Sequence, residues 1–222
     1  MEELYTTWKA IGVAGGDLSF FQDFFVKFYQ AFIEGDRWLQ YLNGVKTTLL
    51  VTALALILGI VLGVLVAMLR TAHDQQRPGH RNPILAVLNL ICKVYVTVIR
   101  GTPMMVQLLI MGFVIFASSR NFTMIGTLTL GINSGAYVSE IVRGGLMSVD
   151  KGQMEAGRSL GLNYMTTMRF IVIPQAVKAI LPALGNEFII LLKDTSLITV
   201  IGGKELLYAA QGVMNRTYEA MF

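Results

Sequence analysis

Charge is what this sequence has least of. Only 14% of its 222 residues are Asp, Glu, Lys or Arg, where a soluble domain carries about a quarter. With 54% hydrophobic residues, much of the surface calls for a solvent other than water. Cysteine is nearly absent. Cys92 stands alone, which excludes an internal disulfide, and a lone thiol beside a membrane helix is most often filler. The N-terminus carries Glu2 and Glu3 but neither a basic n-region nor an apolar h-region, so no cleaved signal peptide is expected. The net charge of +4 is small and does not suggest nucleic acid as a partner. A phosphate-cradling Gly-x4-Gly-Lys-Ser/Thr loop is also missing. Gly202-Gly203-Lys204-Glu205 lacks its spacing and its hydroxyl, so the chain is not expected to bind ATP itself. No metal site is expected either.

What is present is long runs without charge. Thr47–Leu69, Gly101–Ser119 and Asn121–Ser139 are three of them, each of spanning length. The chain is therefore expected to be an all-α integral membrane protein, with Thr47–Leu69 acting as an uncleaved insertion signal. Gly59 and Gly63 lie at a spacing that allows close helix approach. Residues 1–42 do not span. Phe20, Phe21, Phe24, Phe25, Phe28, Phe32 and Ile33 recur at helical spacing, which fits an amphipathic helix in the membrane interface or one packed on its neighbours. Trp38 and Tyr41 follow where interfacial aromatics are expected. The domains expected are thus an interfacial or extracytoplasmic segment, 1–42, and a transmembrane unit, 43–222.

Sidedness follows from bases in short loops. Arg70, His73, Arg77, His80 and Arg81 follow the first span, while residues 1–46 hold six acids against four bases. That places 70–82 in the cytoplasm and the N-terminus outside. From Asn82 to Ser118 a single straight helix would reach about 55 Å against a core of about 30 Å, and Pro103 should break it. The spanning part is expected at roughly 101–118, with 84–99 partly cytoplasmic or tilted because Lys93 and Arg100 sit badly in lipid. Spans at roughly 123–147 and 179–200 complete a count of four, with 202–222 too polar and broken to cross.

Between the last two spans lies a basic segment, about 148–178. Asp150 and Glu155 suit the start of a short helix. Gly161 suits a left-handed helix end, and a second short helix, about Asn163–Ile173, is expected to stop near Pro174. The result is a compact two-helix knob outside the membrane, or an ordinary linker with interfacial helices.

The spacing Glu155-Ala156-x4-Gly161-x9-Ile171-x2-Pro174 resembles the EAA loop of ABC importer permeases, with Gly157 and Ile173 as small departures from its usual Ala and Leu. Arg100-Gly101-Thr102-Pro103, Tyr137 to Gly145, Leu191 to Leu197 and the lead-in Trp38 to Gly44 are similar to the polar amino acid subfamily (histidine, glutamine or arginine type). The likeness covers about 36–216. It implies a type I, MetI-like helix bundle in the bacterial plasma membrane, and a loop that docks into a separate ATPase dimer, where ATP and Mg would bind. Glu155 and Gly161 would be the contact and turn positions. It further implies a second permease, identical or homologous, an extracytoplasmic amino-acid-binding protein, and membrane lipid as surroundings. Permeases of this group usually have five spans, so a fifth helix is expected beyond Phe222.

Ionisable residues inside a span are functional candidates by default. Glu140, Lys193 and Asp194 have the charges to meet a zwitterion, and Gln107, Asn133, Tyr137, Asn186, Thr195 and Ser196 add uncharged partners. Pairing for architecture alone, such as Glu140 with Arg143, is the competing explanation. At the level of function, an ion-gradient-driven carrier or channel subunit competes with an importer permease, but four or five spans leave little room for paired inverted repeats. A non-transporting scaffold is a third, weaker alternative.

Overall fold

The computed structural model describes residues 1–76 and 82–218, and among them the regular structure is entirely helical. The bases Arg77, His80 and Arg81, used above to assign sidedness, lie outside the described residues. The helices are α1 (Glu2–Val13), α2 (Phe20–Phe28), α3 (Arg37–Asp74), α4 (Pro83–Gly101) and α5 (Met104–Ile110), then α6 (Phe122–Met147), α7 (Lys151–Ser159), α8 (Tyr164–Thr167), α9 (Ile173–Asp194) and α10 (Leu206–Thr217). Wide π turns follow α2, α5 and α8, at Tyr29–Ile33, Met111–Ile115 and Met168–Val172.

Among the described residues three helical stretches are long and apolar enough to cross a membrane: Phe20–Asp74, Pro83–Gly101 and Tyr164–Ile201. Met104–Ile115 is a shorter apolar helix. The 26-residue α6 is not among them, because most of its buried positions are Gly, Ser, Thr and Ala, with Ile125, Leu130 and Val138 the larger apolar exceptions. It is also the helix at the centre, packed on α3, α4, α5 and α9. Hydropathy follows contact with lipid, and α6 has given its lipid contact away to its neighbours.

α3 and α6 run parallel. A Cβ on Gly59 would lie 2.6 Å from Ser134 Oγ, and one on Gly63 would lie 2.6 Å from Val138 Cβ. Further along, Arg70 pairs with Glu140 and Arg143 with Asp74 (2.8 Å). Glycines permit the approach and ion pairs close its far end. α9 runs the other way: Ser134 meets Glu187, while Gly145 meets Ile180. Since α3 and α6 share a direction, α4 and α5 together make one return pass. Four passes result. Val51, Ala55, Leu108, Ile125, Leu130, Leu191, Ile198 and Ile201 form the core where α3, α5, α6 and the end of α9 meet.

Two expectations are corrected. The spanning part is not confined to 101–118: residues 84–99, expected to be partly cytoplasmic or tilted, form α4, itself long and apolar enough to cross, while the piece after Pro103 is the shorter one. Lys93 and Arg100 are both exposed on the isolated chain, and the Arg100 guanidinium lies 5.1 Å from the Tyr137 ring centroid, a cation–π contact. Nor does the helix that follows Gly161 stop at Pro174. Tyr164–Ile201 is one helical stretch, since Pro174 falls in the first turn of α9 just after a π turn, where its missing N–H leaves the least unsatisfied.

A helix absent from the expectations, α1, folds back on α2. Tyr5 stacks on Tyr29 at 4.3 Å and Trp8 meets Phe25 edge-on at 5.4 Å. Glu34 accepts from Tyr5 (2.8 Å) and pairs with Lys9 (2.9 Å) and Arg37 (3.0 Å). The Tyr5 hydroxyl and that carboxylate hold the Lys9 ammonium above its ordinary pKa. At the other terminus, α10 packs on the start of α3, its N-cap Glu205 accepting from Leu207 and Tyr208 amides (2.8 and 2.9 Å).

Candidate functional site

The break at Thr102-Pro103 leaves backbone carbonyls without helical donors, which is costly inside a membrane. Gln107 repairs it. Its Nε2 donates to Ile99 O (2.7 Å), Thr102 O (3.1 Å) and Thr102 Oγ1 (2.8 Å), and its Oε1 accepts from Asn133 (3.0 Å). Gln107 is therefore buried scaffold beneath the kink rather than a group free for a ligand.

Above that scaffold the break opens a cavity of about 430 Å³ between α4, α6 and α9. Arg100 to Met104 form one wall, Asn133 and Tyr137 a second, and Glu187, Leu191 and Asp194 a third. Glu187 is buried and accepts from Ser134 (2.7 Å). One guanidinium, two carboxyl side chains and one amide thus border a partly apolar hollow that opens to the bundle surface at Arg100–Pro103. Such a set can hold a carboxylate at one end of a small molecule and an ammonium at the other.

Of the expected path residues, Asn133, Tyr137 and Asp194 come together here. Glu140 does not. It pairs with Arg70 rather than with Arg143, whose guanidinium is taken by Asp74. Lys193, Thr195 and Ser196 border a different cavity of about 390 Å³, with Tyr41, Thr48 and Glu205. The Thr195 and Ser196 hydroxyls donate to Leu192 O and Lys193 O (both 2.8 Å), the usual back-bonding of hydroxyls in a helix. Asn186 is exposed and borders neither cavity. Arg100, not among the expected path residues, and Glu187, an ionisable residue of the fourth span, also border the Pro103 cavity. A charged side chain beside a proline break was the available signal for the first, and an acid within an apolar stretch for the second.

The segment 148–178 is a compact knob. Asp150 caps α7 by accepting from Gly152 N (2.6 Å), and Asn163 caps α8 by accepting from Thr166 N (2.9 Å). Gly161 lies at φ +81, the left-handed value expected at this helix end. Gly157 is buried against Thr167: an added Cβ would fall 2.5 Å from its Cγ2. This contact accounts for glycine where the EAA pattern has alanine. Glu155, Ala156, Leu160, Met165 and Phe170 face outward, whereas Ile171 is half-buried and Pro174 exposed. Tyr164 ties the knob to Gln75 at the end of α3 (2.6 Å), and within the knob Gln175 donates to Gln153 of α7 (3.1 Å).

Comparison with known proteins places this architecture. A Rickettsia prowazekii protein assigned by name to a glutamine transport system is 36% identical over 184 residues, which is 82% of this chain and 79% of that protein. The glutamine transport system permease protein GlnP of Escherichia coli K12 is 40% identical over 142 residues, 61% of this chain and 64% of that one. The crystal structure of an amino acid ABC transporter with histidines superposes with a TM-score of 0.72 at 39% identity, covering 82% of this chain and 81% of its own. The inward-facing methionine ABC transporter shares the fold at a TM-score of 0.65 and 22% identity. The family model for the inner membrane component of binding-protein-dependent transport systems matches residues 84–221. The chain belongs to that family, the multi-pass inner-membrane permeases of ABC importers.

Proposed function

We propose that this chain forms the translocation path of an ATP-driven importer for a polar amino acid, glutamine being the candidate that its relatives' names suggest. The cavity at the Pro103 break carries the proposal. Arg100, Glu187, Asp194 and Asn133 around one hollow match the charges of an amino acid at neutral pH. ATP and Mg belong to a partner ATPase dimer, engaged through Glu155, Ala156, Gly157 and Gly161 on the knob. Leu160, Met165 and Phe170, 80%, 69% and 67% exposed, supply an apolar surface for a partner's groove. A second permease, of the same or a related sequence, and an extracytoplasmic amino-acid-binding protein complete the assembly. In this arrangement residues 43–222 form the transmembrane unit, the N-terminus lies outside and the knob is cytoplasmic.

The test is co-purification followed by uptake into vesicles. The permease should bring down an ATPase, and uptake of a polar amino acid should need ATP. Glu155→Ala should release the ATPase or uncouple it. Uptake that persists without ATP and follows a pH gradient would overturn the proposal in favour of an ion-driven carrier.

A further inference from the structure

The N-terminal hairpin carries four aromatic side chains that the described residues leave largely uncovered. Phe20, Phe21, Phe24 and Phe28 are 78%, 79%, 52% and 40% exposed. At 3.6 residues per turn they share one face of α2, opposite Val26, which is buried on the side toward α1. Their exposure is therefore not left over from incomplete folding: the hairpin has its own inner face and presents a second one.

We propose that this phenylalanine face is a membrane anchor, lying flat at the boundary between headgroups and acyl chains at the N-terminal end of α3. Three observations favour lipid as the occupant. First, the chain turns sharply just before the span. Gly35 and Asp36 are consecutive left-handed residues (φ +64 and +54), so α2 leaves the axis of α3 instead of extending it into water. Second, the face is continuous with the lipid-facing wall of the bundle. Phe24, Phe28, Phe32 and Tyr41 form a ring ladder at 6.3, 4.9 and 5.1 Å, which ends on α3 near the exposed Trp38, Leu39 and Leu42. Third, the charges carried by α2 itself, and Glu34 after it, are already paired. Asp23 pairs with Lys27 at 3.0 Å on the flank of α2, and Glu34 is held by Lys9 and Arg37. A face without unpaired charge, rimmed by aromatics, suits the interface of a bilayer. A soluble partner's contact surface is more often rimmed by charges open for pairing.

The Glu34 cluster then has a purpose. By joining α1, the turn and the start of α3, it holds the hairpin rigid, so the phenylalanines meet the membrane already arranged. The inference needs only the membrane-embedded bundle and is independent of the substrate.

Depth-resolved fluorescence tests it on the full chain, reconstituted with its partner subunits in liposomes. In a background with Trp8→Phe and Trp38→Phe, tryptophan is placed in turn at Phe21, Phe24 and Glu3, the last on the outer side of α1. Lipids brominated near the glycerol end of the acyl chain should quench Phe21→Trp and Phe24→Trp at least about twofold more than Glu3→Trp. Equal quenching of all three by aqueous iodide would overturn the proposal. So would protection that appears only on adding the soluble binding protein, or protection without lipid quenching, since either assigns the face to a protein. If the tryptophan-free background does not fold, Phe24→Cys in a Cys92→Ser chain serves instead. It should resist a membrane-impermeant maleimide in liposomes and react in urea, while Glu3→Cys reacts in both; ready labelling of Phe24→Cys in liposomes would overturn the proposal.

Discussion

Tyr164, in the first turn of α8, donates a 2.6 Å hydrogen bond to Gln75 at the end of α3. The knob is thus tied to the first span as well as to α6 and α9, which continue into it. Tyr164→Phe removes that tie and leaves the ring. It should lower coupling by about 1 kcal/mol, roughly a fivefold fall in ATP-driven uptake, with ATP hydrolysis retained. Uptake and hydrolysis falling in equal proportion would count against a transmission role.

The parallel contact of α3 with α6 should tolerate no side chain at Gly63. A Cβ there meets Val138 Cβ at 2.6 Å and the Ser139 backbone nitrogen at 2.9 Å. The backbone atom cannot rotate away. Gly63→Val should destabilise the bundle by about 1–3 kcal/mol, read as a lower midpoint of thermal unfolding in detergent. An unchanged midpoint would show that the two helices pack differently.

Arg70 and Glu140 should behave as a coupled pair. A double-mutant cycle on thermal unfolding with Arg70→Met and Glu140→Gln should yield a coupling of about 0.5–2 kcal/mol. The exchange of Arg70→Glu with Glu140→Arg should recover part of the loss. Strict additivity would remove the pair from the list of bundle contacts.

Gly157→Ala would restore the residue usual in the EAA pattern, yet it should destabilise the knob by about 1 kcal/mol, because its methyl collides with Thr167. Thr167→Ala in the same chain should relieve most of that. Hydrogen exchange of the α7 amides reads both, and faster exchange that Thr167→Ala leaves unchanged would reject the packing explanation.

Glu187→Gln and Asp194→Asn should each reduce uptake by about tenfold or more while leaving the ATPase bound, given that losing a charged partner at a buried site costs about 1.5–3 kcal/mol. Glu140→Gln should act chiefly on thermal stability instead. If Glu140→Gln alone abolishes uptake in a stably folded complex, the path runs along α3 rather than through the cavity.

The local signals in this sequence were legible wherever one residue does one job. Pro103 marked the break, Gly161 the left-handed turn, and Asp150 the start of α7. Partner choice across the bundle was not. Glu140 has Arg143 three residues away, yet it pairs with Arg70, because on a helix wedged between neighbours the side chain follows the face it is on. Gln107 read as a polar group for a ligand, but a broken helix in lipid must satisfy its own carbonyls first. The same competition decides Thr195 and Ser196. Pro174 was misread because a π turn ahead of it removes the clash that would end a helix. Three of the cavity residues were legible as polar groups in spans; their convergence with Arg100 and Glu187 depends on the direction of α9, which no local pattern encodes.

α3 and α6 run side by side in the same sense, interlocked at two glycines and clasped by two ion pairs. α6 passes into the knob with only Ser148, Val149 and Asp150 between it and α7. A push on the knob therefore has a stiff two-stranded lever to act on. That lever has the Pro103 break on one side and α9 on the other. Were it to tilt, the walls of the cavity would not all move together, and the break at Thr102-Pro103, where the helical hydrogen bonds are already interrupted, would be the place to bend. A fold whose helices alternated strictly up and down would lack that doubled lever and would spend the same push on bending single helices.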